Sequence, residues 1–278
     1  MKNKTGAGKI SLLVFVLIWL INAPAAYSSE HLIGSGCSVS NVGYLTELAK
    51  EYEKLTGIKV FVRGGGTVIG IEDLRSGKVD FAASCRPREE NDPADIQFIQ
   101  VAWDALVFIV HKSNTVGDIS IEDVRAIYAG KITRWKQLKG KDTLIKVFIS
   151  RPKKGLSGVE ASTKTLVLKG LDPVETPNTM FLASTGIVEQ MVEETSDGFA
   201  TTGFTSAKKR DVKMLKVNGA SPTNRNIINN KYQLKRPLFI LIPQNPKPAV
   251  KKFVDFVLSR PGQNFIRTQG VISLLDVK

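Results

Sequence analysis

The stretch from Arg63 to Pro87 constrains this chain most. Arg63-Gly64-Gly65-Gly66-Thr67-Val68-Ile69-Gly70 reads as a strand end, a glycine turn and a helix start. Val79-Asp80-Phe81-Ala82-Ala83-Ser84 then reads as an apolar strand running into a second polar loop, Ser84-Cys85-Arg86-Pro87. A strand, a short crossover helix and a second strand make one βαβ unit, so the fold class is α/β with a parallel sheet. Both loops then lie at one sheet edge. Gly64 to Gly66 let the backbone take positive φ and come close to a ligand. A helix starting at Thr67 offers free amides to an anion. Thr67 as a plain helix cap explains the same residues. The spacing has no Gly-Lys-Ser/Thr and no Gly-x-Gly-x-x-Gly, so it is not a nucleotide loop.

The N-terminus sets the compartment. Lys2, Lys4 and Lys9 precede an apolar run from Ile10 to Ile21, followed by the small residues of Ala23 to Ser28. This pattern predicts a signal peptide over residues 1–28. The run is short for a membrane span, and no cysteine follows it closely as in a lipoprotein. Cleavage after Ser28 leaves 250 of the 278 residues and takes the net charge from +13 to +10. That length suits one large domain or two lobes. Export removes nucleic acid as a partner for the basic balance and leaves anionic solutes and surfaces. Scattered lysines such as Lys139, Lys141, Lys208, Lys209, Lys251 and Lys252 read as solvated faces.

From His31, a short strand at Leu32-Ile33 leads into Gly34-Ser35-Gly36-Cys37-Ser38 and a helix. Leu45, Leu48, Tyr52 and Leu55 form its apolar face, and Thr56-Gly57 ends it. Ser38 reads equally as an N-cap and as a ligand contact. Beyond a charged linker at Arg88 to Asp92 come a buried strand at Ala105 to Val110, a helix from Ser120 to Gly130, and a strand at Leu144 to Ile149. A third loop follows, Ser150 to Glu160, with Arg151, Lys153 and Lys154 crowded beside Ser157. Ser157 and Glu160 have capping-box spacing. A strand, a cationic loop and a helix start favour an anion. His31 and His111 sit in no nucleophile or metal motif, and neither Cys/His clusters nor paired carboxylates occur in a recognisable loop. The expectation is a binding protein, with neither enzyme activity nor a cofactor.

Read together, these segments resemble the periplasmic phosphate-binding proteins of ABC phosphate importers, within the type II solute-binding proteins. The resemblance rests on Gly66-Thr67-Val68-Ile69-Gly70-Ile71, Ser84-Cys85-Arg86-Pro87, Gly130-Lys131-Ile132-Thr133-Arg134-Trp135, Ser150-Arg151 with Ser157-Gly158, Val217 to Thr223, and Arg236-Pro237-Leu238, in the family's order. It implies a bilobal fold with a ligand cleft and strands crossing near Ala105 to Val110 and Leu238 to Ile242. Lobe one would hold 29–108 plus 239–278, and lobe two 109–238. The ligand set it implies is Ser38, Val39, Gly66, Thr67, Ser84, Cys85 and Arg86 from lobe one, with Arg151, Ser157, Gly158 and Val159 from lobe two. The expected job of a monomeric periplasmic protein is to capture inorganic phosphate, or a similar tetrahedral oxyanion, for a membrane permease. A periplasmic module reporting anion occupancy to a membrane receptor is the alternative, and an exported structural protein a third reading. Five residues separate Arg151 from Ser157 where the family has three; Val159 replaces a threonine and Glu160 an arginine. The Ser84–Arg86 loop lacks an acid that some members use to accept a proton from phosphate. Arg86 could instead pair with Glu160 across the cleft. Cys37 and Cys85 stand where the family often has serine, in neighbouring lobe-one loops; the implied fold brings them within bridging range, which leaves a disulfide and two free thiols as the alternatives.

Overall fold

A computed structural model of the chain describes residues 31–152 and 157–277. The signal peptide expected over residues 1–28, and Lys153 and Lys154, lie outside the described residues. Among the described residues, one mixed sheet of ten strands organises the fold. Its first half is parallel: His31–Gly36 lies between Lys59–Gly64 and Phe81–Ser84. The strand Lys235–Pro243 then pairs antiparallel with Phe81–Ser84 on one side and with Ile96–His111 on the other. The second half continues through Gly198–Gly203 and Lys146–Ser150 to the edge strand Thr179–Leu182.

Ile96–His111 belongs to both halves. Residues 96–105 pair with Lys235–Pro243, while Leu106 to Val110 pair with Gly198–Gly203. A strand covered on both faces carries a continuous apolar run instead of an alternating one; accordingly, Leu106 to Val110 are fully buried. The strand begins nine residues before the apolar run predicted from sequence, because Gln97 and Gln100 interrupt its early hydrophobicity.

Helices close both faces. The first helical stretch, residues 38–56, contains a π turn at Asn41–Leu45. Leu45, Leu48 and Tyr52 are buried on it as predicted, but Leu55, in the last turn, is 62% exposed. Tyr52 and Phe81 both pack on Phe253 of the helix Pro248–Leu258, with ring centroids 5.1 Å apart in each pair. Full burial of such an aromatic side chain stabilises by about 1.5–3 kcal/mol. The strand Ile272–Ser273 returns to Ile96–His111, which places the C-terminal segment with the first half. Parallel strands point their carboxyl ends one way, so the loops after Gly36, Gly64 and Ser84 share one edge, where open α/β sheets bind ligands.

Candidate anion-binding site

Three helix starts meet at the join of the two halves: Ser38, Thr67 and Gly158. Thr67 does not cap its helix. The N-cap is Gly66, whose φ of 101° suits glycine, and among the described residues no side chain caps this end. Likewise Cys37, not Ser38, is the N-cap of the first helical stretch, again without a side-chain cap. Both hydroxyls therefore sit in a helical first turn beside amides that lack intrahelical partners. Ser157 does act as an N-cap, accepting from Glu160 N at 3.3 Å and from Thr185 Oγ1 at 3.4 Å. The capping box is only half formed, because Glu160 Oε1 accepts from Ser150 N at 3.1 Å instead of returning to Ser157.

The halves touch closely here. A Cβ built on Gly158 would lie 2.5 Å from Thr67 Oγ1 and 2.8 Å from Cys85 Sγ, so only a glycine fits. A Cβ on Gly64 would come within 2.7 Å of Ser38 Oγ. Cys85 N donates to Thr67 Oγ1 at 3.4 Å, and Ser162 Oγ donates to Cys85 O at 3.2 Å. Ser38, Thr67, Ser157, Gly158 and Val159 are buried in this neighbourhood.

Other predicted residues are engaged elsewhere. Arg86 does not reach Glu160. Its guanidinium is bound bidentately to Asp92, at 2.6 and 2.9 Å, and also reaches Glu89 and Pro87 O within its own loop. Burial pushes the Asp92 carboxyl up, but the Arg86 hydrogen bonds hold it below its usual range. Ser84 Oγ is likewise spent on that loop, donating to Arg86 O at 2.7 Å. Val39 is buried against Gly203, where a Cβ would lie 2.4 Å from its Cγ1. Arg151 is exposed and stacks 3.6 Å above the Phe181 ring centroid. Cys37 and Cys85 are buried free thiols in contact with one another, not a disulfide.

Glu160 is fully buried, and burial pushes its carboxyl up to about 8. At neutral pH it is a neutral acid and adds no charge against an anion. Among the described residues, its Oε2 and the nearby Ser150 Oγ have no hydrogen-bond partner.

Sequence reasoning missed the ion pair of Arg236 with Asp104, both on crossing strands and 1% and 0% exposed. Arg236 Nη2 donates to Asp104 Oδ2 at 2.9 Å, and its Nη1 donates to Cys85 O at 3.1 Å and Gly158 O at 3.4 Å. Thr205 N and Oγ1 donate to Asp104 Oδ1. The available signal was an acid inside the apolar strand Trp103-Asp104-Ala105, since a buried charge needs a partner.

Two α/β halves sharing crossing strands, with helix N-termini facing across the join, define a solute-binding protein of the bilobal cleft type. The chain belongs to the PBP superfamily: a family model described as a PBP superfamily domain matches residues 23–261. The phosphate-binding protein PstS of Borreliella burgdorferi is 28% identical, with 94% of this chain and 98% of the relative covered. The phosphate-binding protein PstS of Bacillus subtilis is 26% identical over 92% of this chain and 86% of its own length. Among solved structures, a Clostridium perfringens protein assigned as a phosphate ABC transporter substrate-binding protein, with phosphate bound, superposes with a TM-score of 0.77. Its identity is 25%, covering 88% of this chain and all of that one. An ABC-type phosphate transport receptor from Vibrio cholerae gives 0.66 at 28% identity, with the same coverage.

Proposed function

We propose that this chain captures inorganic phosphate, or a closely similar tetrahedral oxyanion, at the join of its two halves and delivers it to the membrane permease of an ABC importer. The observation that carries this reading is the meeting of three helix N-termini, two of them without side-chain caps, at the join of the two halves. Relatives with phosphate-binding names support the choice of anion. An oxyanion leaving water needs donors on every oxygen. Ser38 and Thr67 supply hydroxyls and first-turn amides from one side; Ser157, Gly158 and Val159 supply them from the other. Thr67 Oγ1 already accepts from Cys85 N, so its own proton is free to be donated.

Arg151 supplies the charge. Leaving the Phe181 ring costs about 0.5–1 kcal/mol at an exposed site, whereas a charge-assisted hydrogen bond returns about 1.5–3 kcal/mol. The swing toward the anion is therefore downhill. Ser84 and Arg86 shape the loop that presents Cys85 and stand behind the ligand set. The chain works as an exported monomer, with lobes at 29–108 plus 239–278 and at 109–238 that open and close about the crossing strands. Among the described residues no helix is long and apolar enough to cross a membrane.

Calorimetric titration of phosphate-free mature protein at pH 7 and low salt tests the reading, with phosphate, sulfate, molybdate and arsenate as ligands. Phosphate is expected to bind at micromolar concentration or below. Arg151→Ala and Thr67→Ala should each weaken binding by roughly 10- to 150-fold, the loss of one charge-assisted hydrogen bond. Failure of every oxyanion to bind would overturn the assignment.

A further inference from the structure

Cys37 and Cys85 sit at the ends of neighbouring strands. Parallel pairing sets Gly36 beside Ala83, and Cys37 N donates to Ala83 O at 2.8 Å. Continuing that register sets Cys37 opposite Ser84 and Cys85 one residue further on, a diagonal of roughly 6 Å for strands about 4.8 Å apart with a rise of about 3.3 Å per residue, within the Cα separation of about 4.4–6.8 Å that a disulfide spans. Each residue is 2% exposed. The cover over Cys85 comes from Gly158 and Ser162 of the opposite half and from the crossing strand: a Cβ built on Gly158 would lie 2.8 Å from Sγ, while Ser162 Oγ and Arg236 Nη1 hold the Cys85 carbonyl. A thiol that is buried when the halves meet is uncovered when Gly158 moves away.

We propose that Cys37 and Cys85 form a redox pair gated by the cleft, a modification site that small disulfides oxidise in the open protein and that bound anion shields. The shielding rests on the anion-capture reading above; the pair itself does not. In the open form the Cys85 thiolate attacks one sulfur of a small disulfide such as oxidised glutathione. One glutathione thiolate leaves and a mixed disulfide forms. Cys37 then gives up its proton and attacks Cys85 Sγ, expelling the second glutathione thiolate. Two protein thiols become one S–S bond, and their two electrons and two protons end on two glutathione thiols.

The order of attack follows from the surroundings. Burial alone would raise the Cys85 thiol, but the hydrogen bond from Cys37 and the charge of Arg236 outweigh it and lower it. Burial pushes the Cys37 thiol well up, so it reacts second. The bond would tie together the two strand-end loops that carry Ser38 and Ser84, closing a loop over residues 37–85 of the unfolded chain.

The test uses the reduced mature protein, oxidised glutathione and inorganic phosphate. Without phosphate, both thiols should be lost to a chromogenic thiol count while the mass falls by two hydrogens, with no dimer formed. Saturating phosphate should slow this loss at least about tenfold, because only the open fraction reacts. In Cys37→Ser, Cys85 should stop at a mixed glutathione adduct. Two thiols and an unchanged mass after prolonged oxidation of the unliganded protein would overturn the pair, as would a disulfide-linked dimer. Calorimetric phosphate titration of the same sample separates the two readings. Phosphate that binds without slowing oxidation refutes the gate and leaves anion capture standing. Phosphate that does not bind refutes anion capture, and the oxidation arm still decides the pair.

Discussion

Glu160 is the residue whose chemistry differs most from its place in the sequence. It follows Ser157-Gly158-Val159 at a helix start, where an ionised acid would repel an anion. Its side chain instead turns to Ser150 N and is fully buried, with Tyr128, Arg151 and Arg236 as its charged or titratable neighbours. Burial raises its carboxyl from 4.5 to about 8, so the folded state holds a proton that the unfolded state releases. The folded state then binds more protons than the unfolded one between those values, and stability falls as pH rises through that window. Full ionisation costs roughly 4–5 kcal/mol. Glu160→Gln keeps the acceptor for Ser150 N and removes the titration. Between pH 5 and pH 8.5 the wild-type melting temperature should fall relative to that of Glu160→Gln. Parallel melting curves across the range would mean that Glu160 is not the titrating group.

At the scale of elements, the helix starts decide what the site can hold. Gly158 is the first residue of its helix, where alanine favours the helix slightly. Its Cβ position, however, lies 2.5 Å from Thr67 Oγ1 across the join. Gly158→Ala should therefore push the halves apart and weaken phosphate binding by more than about tenfold through blocked closure. Equal affinity in calorimetry would show that the halves need not meet there. These elements were legible in the sequence because strand, glycine turn and apolar helix face are local patterns. Their caps were less so. Thr67 and Ser38 look like N-caps, yet each chain turns one residue earlier, at Gly66 and Cys37, and only the path of the turn decides which residue stands outside the helix. Arg86 went astray for a similar reason. Its partner Asp92 lies six residues on, in a stretch that reads merely as a charged linker, and it is the folding back of that loop that brings the two together.

Across the whole molecule, the feature that sequence patterns could not supply is the long-range pin between the crossing strands. Asp104 and Arg236 are 132 positions apart, and nothing local links them. Arg236 also binds one carbonyl from each half, Cys85 O and Gly158 O, so this single guanidinium registers whether the halves are together. A buried pair of this kind costs much in desolvation, and its contribution is clearest when one partner is removed. Arg236→Met leaves the Asp104 carboxylate buried with only Thr205 to satisfy it, and should cost about 3–5 kcal/mol. For a chain of this size that lowers the melting temperature by on the order of 10 °C. Asp104→Asn, which strands the guanidinium, should cost a similar amount. The double variant should lose clearly less than the sum, because neither charge is then left uncompensated. The variants separate further in solution scattering. Phosphate should shrink the radius of gyration of wild type and of Asp104→Asn, which keeps both carbonyl contacts, but shrink Arg236→Met less. Strict additivity in the double variant would show that the two side chains contribute independently. Equal shrinkage in all three proteins would show that Arg236 has no part in holding the halves closed.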